Sequence, residues 1–266
     1  MASGPKLNPD AYKVIKEFIF GVVKCAKAKG VVVGLSGGID STLVAKLSVD
    51  ALGKDKVLGI MLPAPSSDPS DLEDAKLVAK HLGIRTEMIK IGPMVEAFSK
   101  SLKPSERELG NIKSRCRMVT LHQRAMRSGY LVAGTGNKSE LLVGYFTKYG
   151  DGGVDLLPLG DLYKTQVWAL AKELGLPEKI VKKVPTAGLW KGQTDEGELG
   201  ITYEKLDRVL FGIERGQSNE EISKSTKVPL KEVVRVEAMM ERSQHKRKMP
   251  LIPKTGIRTL GIDWRE

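Results

Sequence analysis

Short apolar runs alternate with stretches of helical periodicity along the first half of the chain. Residues 31–33 are all valine and 57–62 are almost entirely apolar, a pattern typical of strands buried on both faces. Elsewhere, apolar residues recur every three to four positions, which predicts helices. We predict strands at 31–35, 57–62, 85–91 and 130–133, and helices at 9–29, 41–52, 70–82, 106–128, 161–174, 203–214, 220–226 and 231–247.

The order of these elements predicts an α/β fold. Strands that alternate with helices at this spacing indicate βαβ units, so we expect a doubly wound parallel sheet flanked by helices, with a helical C-terminal part. Residues 186–202 are rich in Gly, Thr, Glu and Asp and have little periodicity, which predicts a mobile loop. Because no repeat or linker is evident, we interpret residues 1–266 as a single domain.

Composition narrows the classes of protein that remain. Aromatic residues make up only 5% of the chain, which argues against a stacking platform for single-stranded nucleic acid. Cys25 and Cys116 form no C-x-x-C pair, so neither a disulfide framework nor a zinc site is indicated. No apolar run approaches the roughly 20 residues of a membrane span, and no signal-peptide pattern is present, so we expect a cytoplasmic protein without a membrane partner. The net charge of +11 favours an anionic partner, either a nucleic acid or a phosphorylated small molecule.

The segment GLSGGIDST at 34–42 directly follows the first predicted strand. Gly34, Gly37 and Gly38 allow positive φ and close backbone approach, and the amides at the start of the following helix attract an anion. Asp40 would repel a bare phosphate, so we expect a cation between them. A Mg²⁺ ion held by carboxylate and phosphate oxygens satisfies both groups. The alternative is a tight turn between strand and helix that binds no ligand.

The segment 34–42 resembles the pyrophosphate loop of the N-type ATP pyrophosphatases, which cut ATP between its α and β phosphates. That superfamily includes NAD, GMP and asparagine synthetases and several tRNA-modifying enzymes, and this segment alone does not choose among them. Residues 134–160, GTGNKSELLVGYFTKYGDGGVDLLPLG, resemble the ammonia-dependent NAD synthetase family. The resemblance extends over nearly the whole chain, through N-I-K-S-R at 111–115, L-Y-K-T-Q at 162–166, P-T-A-G-L at 185–189, D-E-x-x-L-G at 195–200 and H-K-R at 245–247.

This resemblance implies an adenine nucleotide alpha hydrolase-like fold and a two-step reaction on deamido-NAD. ATP adenylates the nicotinate carboxylate and releases pyrophosphate, and ammonia then displaces AMP to give NAD. The resemblance also implies that Asp40 and Glu140 hold Mg²⁺ and that Lys164 contacts ATP, so these three are the expected catalytic residues. The implied ATP-binding residues are Gly34, Leu35, Ser36, Gly37, Gly38, Ile39, Asp40, Ser41, Thr135, Lys164 and Thr186.

Lys164 lies in the first turn of the helix predicted at 161–174, for which Asp161 is the expected cap. A lysine at this position is unfavourable to the helix dipole, and that misfit suits a residue bound to a phosphate. A solvated lysine on the helix surface is the alternative interpretation.

The resemblance further implies a deamido-NAD site that is completed across a homodimer interface. Its residues are Arg115, Lys148, Asp155, His245 and Lys246. Lys113, Arg117 and Arg124 share the predicted helix 106–128 with Arg115, and in isolation they would form a solvated basic face. Because the recognised segments begin at residue 34, no room is left for a glutaminase domain, and we expect free ammonia to be the direct nitrogen donor.

Three alternative hypotheses remain open, two within the same superfamily and one in a different functional class. A tRNA-modifying enzyme of the same superfamily would suit the positive charge, but its thiolating members usually need cysteine pairs that this chain lacks. A GMP synthetase fragment would not have the pattern Y-F-T-K-Y-G-D-G-G. Residues 218–247 could form the helix-turn-helix of a DNA-binding protein, since Pro229 is acceptable at the start of a second helix. The main hypothesis includes no nucleic-acid partner.

Overall fold

A parallel sheet lies at the centre of the computed structural model, which describes residues 4–190 and 192–259. Within the described residues its strands are ordered β3-β2-β1-β4, and each pairing is parallel. The doubly wound α/β fold and the four predicted strands are confirmed, with small differences at the strand ends. The strands are β1 (Val31–Gly34), β2 (Val57–Met61), β3 (Arg85–Met88) and β4 (Leu131–Ala133).

Helices connect these strands and form the C-terminal part of the chain. They are α1 (Ala11–Cys25), α2 (Ile39–Leu52), α3 (Pro69–Leu82), α4 (Gly92–Leu102), α5 (Glu106–Ser128), α6 (Lys138–Val143), α7 (Lys164–Glu173), α8 (Glu178–Val181), α9 (Asp195–Leu199), α10 (Tyr203–Glu214), α11 (Asn219–Thr226), α12 (Leu230–Arg242) and α13 (Gln244–Arg247). None of the helices in the described part of the chain is long and apolar enough to cross a membrane.

Helices cover both faces of the sheet at β1, β2 and β4, which explains why these strands are apolar, whereas the edge strand β3 (RTEM) is exposed at all four positions. Val31 and Val33 pack with apolar side chains of α1, α2, α3 and α7 on one face. Val32 points to the other face, where it packs with residues of α4 and α5. Successive strand residues alternate between faces, so a strand covered on both sides needs apolar residues throughout.

The C-terminal helices form a second core that attaches to the sheet domain at α6 and α7. Residues of α10, α11 and α12 pack with Val143 of α6 and with Tyr163, which precedes α7. Trp168 of α7 contacts both cores, and its ring meets the ring of Tyr203 edge-on at 6.0 Å between centroids. The packing of the C-terminal part therefore determines where α6 and α7 lie.

Several element boundaries differ from the predictions. The helix predicted at 161–174 begins at Lys164, with Tyr163 at its N-cap, while Asp161 instead pairs with Lys138 at 3.0 Å. The predicted loop 186–202 contains the short helix α9, and the helix predicted at 231–247 is divided at Ser243. The sequence pattern missed α4, α6 and α8, of which α6 and α8 are too short to show a helical period.

The strand order creates a crevice at one edge of the sheet. From β1 the chain moves outward to β2 and β3, and then β4 returns to the opposite side of β1. The point where the order reverses, at the carboxyl ends of β1 and β4, is where doubly wound sheets bind their ligands. Residues 34–42 leave β1 at this point, and Gly134 and Thr135 leave β4 beside it.

Candidate active site

The segment 34–42 forms a tight turn between β1 and α2. Gly37 has a φ of +77°, and a Cβ atom at this position would lie only 2.3 Å from the carbonyl oxygen of Asp71. The hydroxyl oxygens of Ser36 and Ser41 lie 3.0 Å apart, and the amide of Gly38 donates to Ser36 Oγ at 3.2 Å. Gly38 is the N-cap of α2 and provides no side-chain cap, so the first amides of α2 are available to an anionic ligand.

Asp40, Glu140 and Lys164 meet beside this turn. Lys164 Nζ lies 2.5 Å from Asp40 Oδ2 and 3.5 Å from Glu140 Oε1. The lysine is 1% exposed, because it is the first residue of α7 and the C-terminal core packs over it. Asp40 lies in the first turn of α2, and Glu140 lies in the first turn of α6. The structure therefore brings together the three residues that the sequence proposed as catalytic.

The charges of this cluster strongly influence one another. Burial raises the pKa of Glu140, and the Asp40 carboxylate adds to the increase while Lys164 opposes it. Burial alone would lower the pKa of Lys164, but the carboxylates of Asp40 and Glu140 outweigh burial and raise it. Lys164 therefore keeps its proton at neutral pH. Two acidic side chains face this single lysine, and burial raises the pKa of Glu140 to about 8, so the ionised form of Glu140 needs a further cation beside it.

The donor set of this cluster fits a magnesium ion in part. Two carboxylates that converge on one point and are short of positive charge suit a hard divalent cation, which prefers oxygen ligands. In residues 4–190 and 192–259, however, no group of three acidic, His or Cys side chains is arranged to hold a metal ion by itself. Asp40 and Glu140 could therefore hold Mg²⁺ only with further ligands, such as phosphate oxygens or water.

The other predicted ATP-binding residues lie at the same edge of the sheet. Leu35, Ile39 and Ser41 are buried where the turn enters α2. Thr135 follows β4 and is half-buried. Thr186 is exposed at the start of the segment 186–202, where its Oγ1 accepts a hydrogen bond from the amide of Gly188 at 3.1 Å.

Four of the five predicted deamido-NAD residues form a connected group. Arg115 donates to the carbonyl of Lys148 at 3.3 Å, and Lys148 Nζ donates to the carbonyl of His245 at 2.7 Å. Lys246 Nζ donates to the carbonyls of Gly144 and Phe146 at 2.7 and 2.8 Å. The group thus joins α5 and α13 to the segment that follows α6.

Asp155 lies apart from that group, at the end of the sheet. Its Oδ2 accepts a hydrogen bond from the amide of Val132 at 2.7 Å, so one carboxylate oxygen is used by the strand β4. The residue is exposed, and its second oxygen is not involved in that bond.

A family model described as NAD synthase matches residues 11–250. The chain belongs to the NAD synthase family. Among curated relatives of this family, the NH3-dependent NAD(+) synthetase of Methanosarcina acetivorans is 50% identical over 245 residues, which cover 90% of this chain and 96% of that protein. The NH3-dependent NAD(+) synthetase of Pyrococcus horikoshii is 49% identical over 245 residues, which cover 91% and 95% of the two chains.

Solved structures of this family have the same fold. The NMN synthetase of Francisella tularensis matches with a TM-score of 0.83 and 36% identity, over 94% of this chain and 100% of that one. The NH3-dependent NAD synthetase of Campylobacter jejuni matches with a TM-score of 0.79 and 35% identity, over 92% and 98% of the two chains. NAD synthase membership favours the main hypothesis over a tRNA-modifying enzyme, a GMP synthetase fragment or a helix-turn-helix protein.

Sequence reasoning missed Asn137, which joins the two acids of this NAD synthase site. Its Nδ2 donates to Asp40 Oδ1 at 3.1 Å, and its Oδ1 accepts from the amide of Glu140 at 3.0 Å. The amide of Asn137 also donates to Glu140 Oε2 at 3.1 Å, which completes a capping box at the start of α6. The pattern Asn-x-x-Glu is a recognisable helix start and could have predicted this contact.

Asp195 is a second residue that sequence reasoning did not assign to the site. It is 4% exposed at the start of α9, and its Oδ2 accepts a hydrogen bond from the Tyr203 hydroxyl at 3.1 Å. The same hydroxyl lies 3.5 Å from Glu140 Oε1. The segment 186–202 is therefore connected to the acidic cluster through Tyr203.

Proposed function

We propose that this chain converts deamido-NAD to NAD, using ATP and ammonia. The observation that supports this most directly is the cluster of Asp40, Glu140 and Lys164 beside the glycine turn of a NAD synthase fold. The curated relatives described as NH3-dependent NAD(+) synthetases support the choice of substrate and of nitrogen donor.

The first step of the proposed reaction brings two anions together. A nicotinate carboxylate oxygen attacks the α-phosphorus of ATP, and the bond to the β-phosphate oxygen breaks to release pyrophosphate. Positive charge at the phosphates lowers this barrier, because it offsets the repulsion between carboxylate and triphosphate. The first amides of α2, the positive end of the α2 dipole and Lys164 would provide that charge. Because its neighbouring acids raise its pKa, Lys164 acts as a fixed cation.

We assign the magnesium ion expected in this reaction to Asp40 and Glu140. When bound, it would supply positive charge to the phosphate oxygens. Asn137 holds both acids in place through its side chain, and its contacts would keep the two carboxylates oriented toward a common ligand.

The second step of the proposed reaction requires water to be kept away. Ammonia attacks the carbonyl carbon of the adenylated nicotinate, the bond from that carbon to the AMP oxygen breaks, and the nitrogen loses a proton. Water would attack the same carbon and return deamido-NAD without product. We propose that the segment 186–202, which includes Thr186, closes over ATP to exclude water, and that Asp195 ties its far end to the site.

We assign deamido-NAD binding to Arg115, Lys148, Asp155, His245 and Lys246. Among the described residues, Arg115 donates to the carbonyl of Lys148 and Lys148 donates to the carbonyl of His245. With five and three N–H donors respectively, both side chains can also donate to a ligand. We propose that a homodimer completes this site. Exposed apolar residues on α5, among them Val119 and Met126, support an interface on that helix, and light scattering should give twice the chain mass.

The choice of substrate provides the test of this function. The Francisella tularensis neighbour is described as an NMN synthetase, so the deamido form of NMN is a second candidate substrate. We expect pyrophosphate release that depends on deamido-NAD and yields NAD, with much weaker release for the mononucleotide. Preference for the mononucleotide would reassign the substrate. If neither deamido-NAD nor the mononucleotide stimulates pyrophosphate release, the proposal is rejected.

The nitrogen donor can be tested in the same assay. We propose that residues 1–266 act as one synthetase domain that takes ammonia directly. NAD formation should rise with ammonium concentration and should not respond to glutamine when ammonia is removed enzymatically. Equal rates with glutamine under those conditions would contradict direct use of ammonia.

A further inference from the structure

Lys113 is a buried cation that forms no direct ion pair with any of the residues that the structure describes, although Glu106 acts on it at longer range. It lies on α5 and is 5% exposed, and its Nζ donates to Ser66 Oγ at 2.7 Å and to the carbonyl oxygen of Leu189 at 2.6 Å. Both acceptors are neutral, and within the described residues no Asp or Glu forms an ion pair with Lys113. The sequence predicted a solvated lysine here, so its burial is a correction. A buried charge without a partner is unfavourable unless something compensates it.

Arg117 lies one helical turn further along α5 and is half-buried, with the carboxylates of Asp151 and Asp71 acting on it only at longer range. Its Nε donates to the carbonyl oxygen of Leu62 at 3.2 Å, and in the part of the chain that the structure describes it makes no ion pair. Burial lowers the pKa of Lys113, and the neighbouring Arg117 lowers it further. By contrast, Lys164 and Lys183 each lie within 2.7 Å of a carboxylate oxygen.

The two cations lie beside the proposed ATP site. Leu62 and Ser66 follow β2 at the carboxyl edge of the sheet, next to the turn that leaves β1. Leu189 belongs to the segment 186–202. A Cβ atom added to its neighbour Gly188 would lie 4.0 Å from a carboxylate oxygen of Asp71. The backbone of that same Asp71 lies against Gly37. Lys113 and Arg117 are therefore linked to the turn at residues 34–42 through the segment after β2 and through residues 188–189 and Asp71.

We propose that Lys113 and Arg117 form a second anion subsite, which binds a phosphate group of ATP or of deamido-NAD. The inference rests on the proposed function for the identity of these two ligands. A phosphate oxygen would supply the missing negative charge, and the third N–H of Lys113 would donate to it. Because Lys113 also holds the carbonyl of Leu189, a phosphate bound here would help to keep the segment 186–202 in place.

The subsite is tested by calorimetric titration of three variants and the wild-type protein. Lys113→Met and Arg117→Met remove one cation each, and Arg127→Met removes an exposed arginine from the far end of the same helix as a control. The titrants are α,β-methylene-ATP, which cannot be cleaved at the relevant bond, and deamido-NAD, each added alone with Mg²⁺.

We expect Lys113→Met and Arg117→Met to weaken the binding of one titrant by roughly tenfold to a hundredfold, as for the loss of a charged hydrogen bond. The titrant that is affected identifies the source of the phosphate. Arg127→Met should bind both titrants as the wild type does. Without ligand, Lys113→Met should have an unchanged or higher melting temperature, because it removes a buried charge that has no partner.

Unchanged affinity of both variants for both titrants would overturn the subsite. A lower melting temperature of ligand-free Lys113→Met with unchanged affinities would also contradict the subsite, because it would show that Lys113 only stabilises the fold through its contact with Leu189. Failure of the proposed function has a different signature: the wild type would bind nucleotide and form no NAD from deamido-NAD, ATP and ammonia. The titration with the ATP analogue tests the subsite in either case.

Discussion

At the scale of single residues, the site depends on how Asp40, Glu140 and Lys164 balance their charges. Lys164 contacts both Asp40 and Glu140, and the side-chain amide of Asn137 also connects these two acidic residues. Burial raises the pKa of Glu140, so a divalent cation bound beside it would favour the ionised form of this acid. Such a cation, bound together with a nucleotide, stays part of the proposal.

Asp40→Asn tests this balance directly. The variant keeps the shape of the side chain and removes its charge, so Mg²⁺-dependent formation of the adenylate should slow by about 10²- to 10³-fold. The measurement is pyrophosphate release in a single turnover with ATP and deamido-NAD at several Mg²⁺ concentrations. Asp50→Asn is the matched control, because Asp50 lies on the same helix and pairs with Lys46 at 2.7 Å, away from the turn. Undiminished release by Asp40→Asn at limiting Mg²⁺ would remove Asp40 from the metal site.

Single residues of the site were the easiest part to predict. Asp40 lies in a glycine-rich segment that directly follows a predicted buried strand, and Glu140 was assigned from the resemblance of residues 134–160 to the NAD synthetase family. Their direct contact with Lys164 could not be predicted, because it depends on how α6 and α7 pack against the C-terminal core. Burial of Lys113 was also missed, since a basic helix gives no indication of which lysine faces inward.

At the scale of elements, the turn between β1 and α2 depends on one glycine. Gly37 combines a positive φ with an approach to Asp71 that leaves no room for a side chain. Helix α3, which supplies Asp71, thus supports the turn that is proposed to bind ATP.

Gly37→Ala should destabilise the protein more than an alanine at another left-handed glycine. Gly175 has a φ of +66° with no atom within 4 Å of an added Cβ, so Gly175→Ala should lose only about 1 kcal/mol. Gly37→Ala adds an overlap with the Asp71 carbonyl and should also weaken ATP binding. Urea unfolding and nucleotide titration measure both effects. Equal losses of stability for the two variants would contradict the close approach.

Asp74 of helix α3 forms ion pairs with Lys179 in α8 and with Lys183, which follows α8. Asp74 is 2% exposed, and its carboxylate pairs with Lys179 at 2.5 Å and with Lys183 at 2.6 Å. Burial would raise the pKa of Asp74, but these two lysines outweigh it and lower the pKa. Lys183, which follows α8, also lies 3.4 Å from the carbonyl oxygen of Gly37, so its ion pair with Asp74 connects the segment after α8 to the turn at residues 34–42.

Asp74→Asn should therefore lower stability in a pH-dependent manner. A carboxyl group with a lowered pKa stabilises the fold above its unfolded pKa of about 3.9, and this stabilisation is lost as the pH falls through the folded value. The variant should lose about 1–3 kcal/mol at pH 7, and the difference from the wild type should shrink below about pH 4. Glu73→Gln, at an exposed pair on the same helix, should change stability by less than about 1 kcal/mol. A stability difference between the wild type and Asp74→Asn that grows as the pH falls would contradict a lowered pKa of Asp74.

The elements themselves were predicted in part. The strands and the long helices were found because their apolar patterns are long and regular, as in α5 and α10. Helix α9 was missed because it is a single short turn within a polar segment, although Thr194 caps it through a hydrogen bond to Gly197. The mobility expected for residues 186–202 stays a prediction.

At the scale of the whole molecule, the net charge of +11 is consistent with the two anionic substrates proposed above. Part of that charge already serves the fold, since Lys246 and Arg247 donate to backbone carbonyls near the end of α6. These contacts could not be predicted from the sequence, because donors and acceptors lie about a hundred residues apart. Through these contacts the C-terminal helices help to fix the position of α6, and therefore the position of Glu140.

The central claim is that the nicotinate carboxylate is activated by transfer of AMP, and an isotope measurement tests it most directly. Deamido-NAD labelled with ¹⁸O in its nicotinate carboxylate is incubated with the protein, ATP and ammonia. Mass spectrometry then measures the label in AMP, pyrophosphate and NAD. One labelled oxygen should appear in AMP for each NAD formed, because the oxygen that attacks the α-phosphorus leaves with AMP. Label in pyrophosphate, or AMP without label while NAD is formed, would contradict the mechanism.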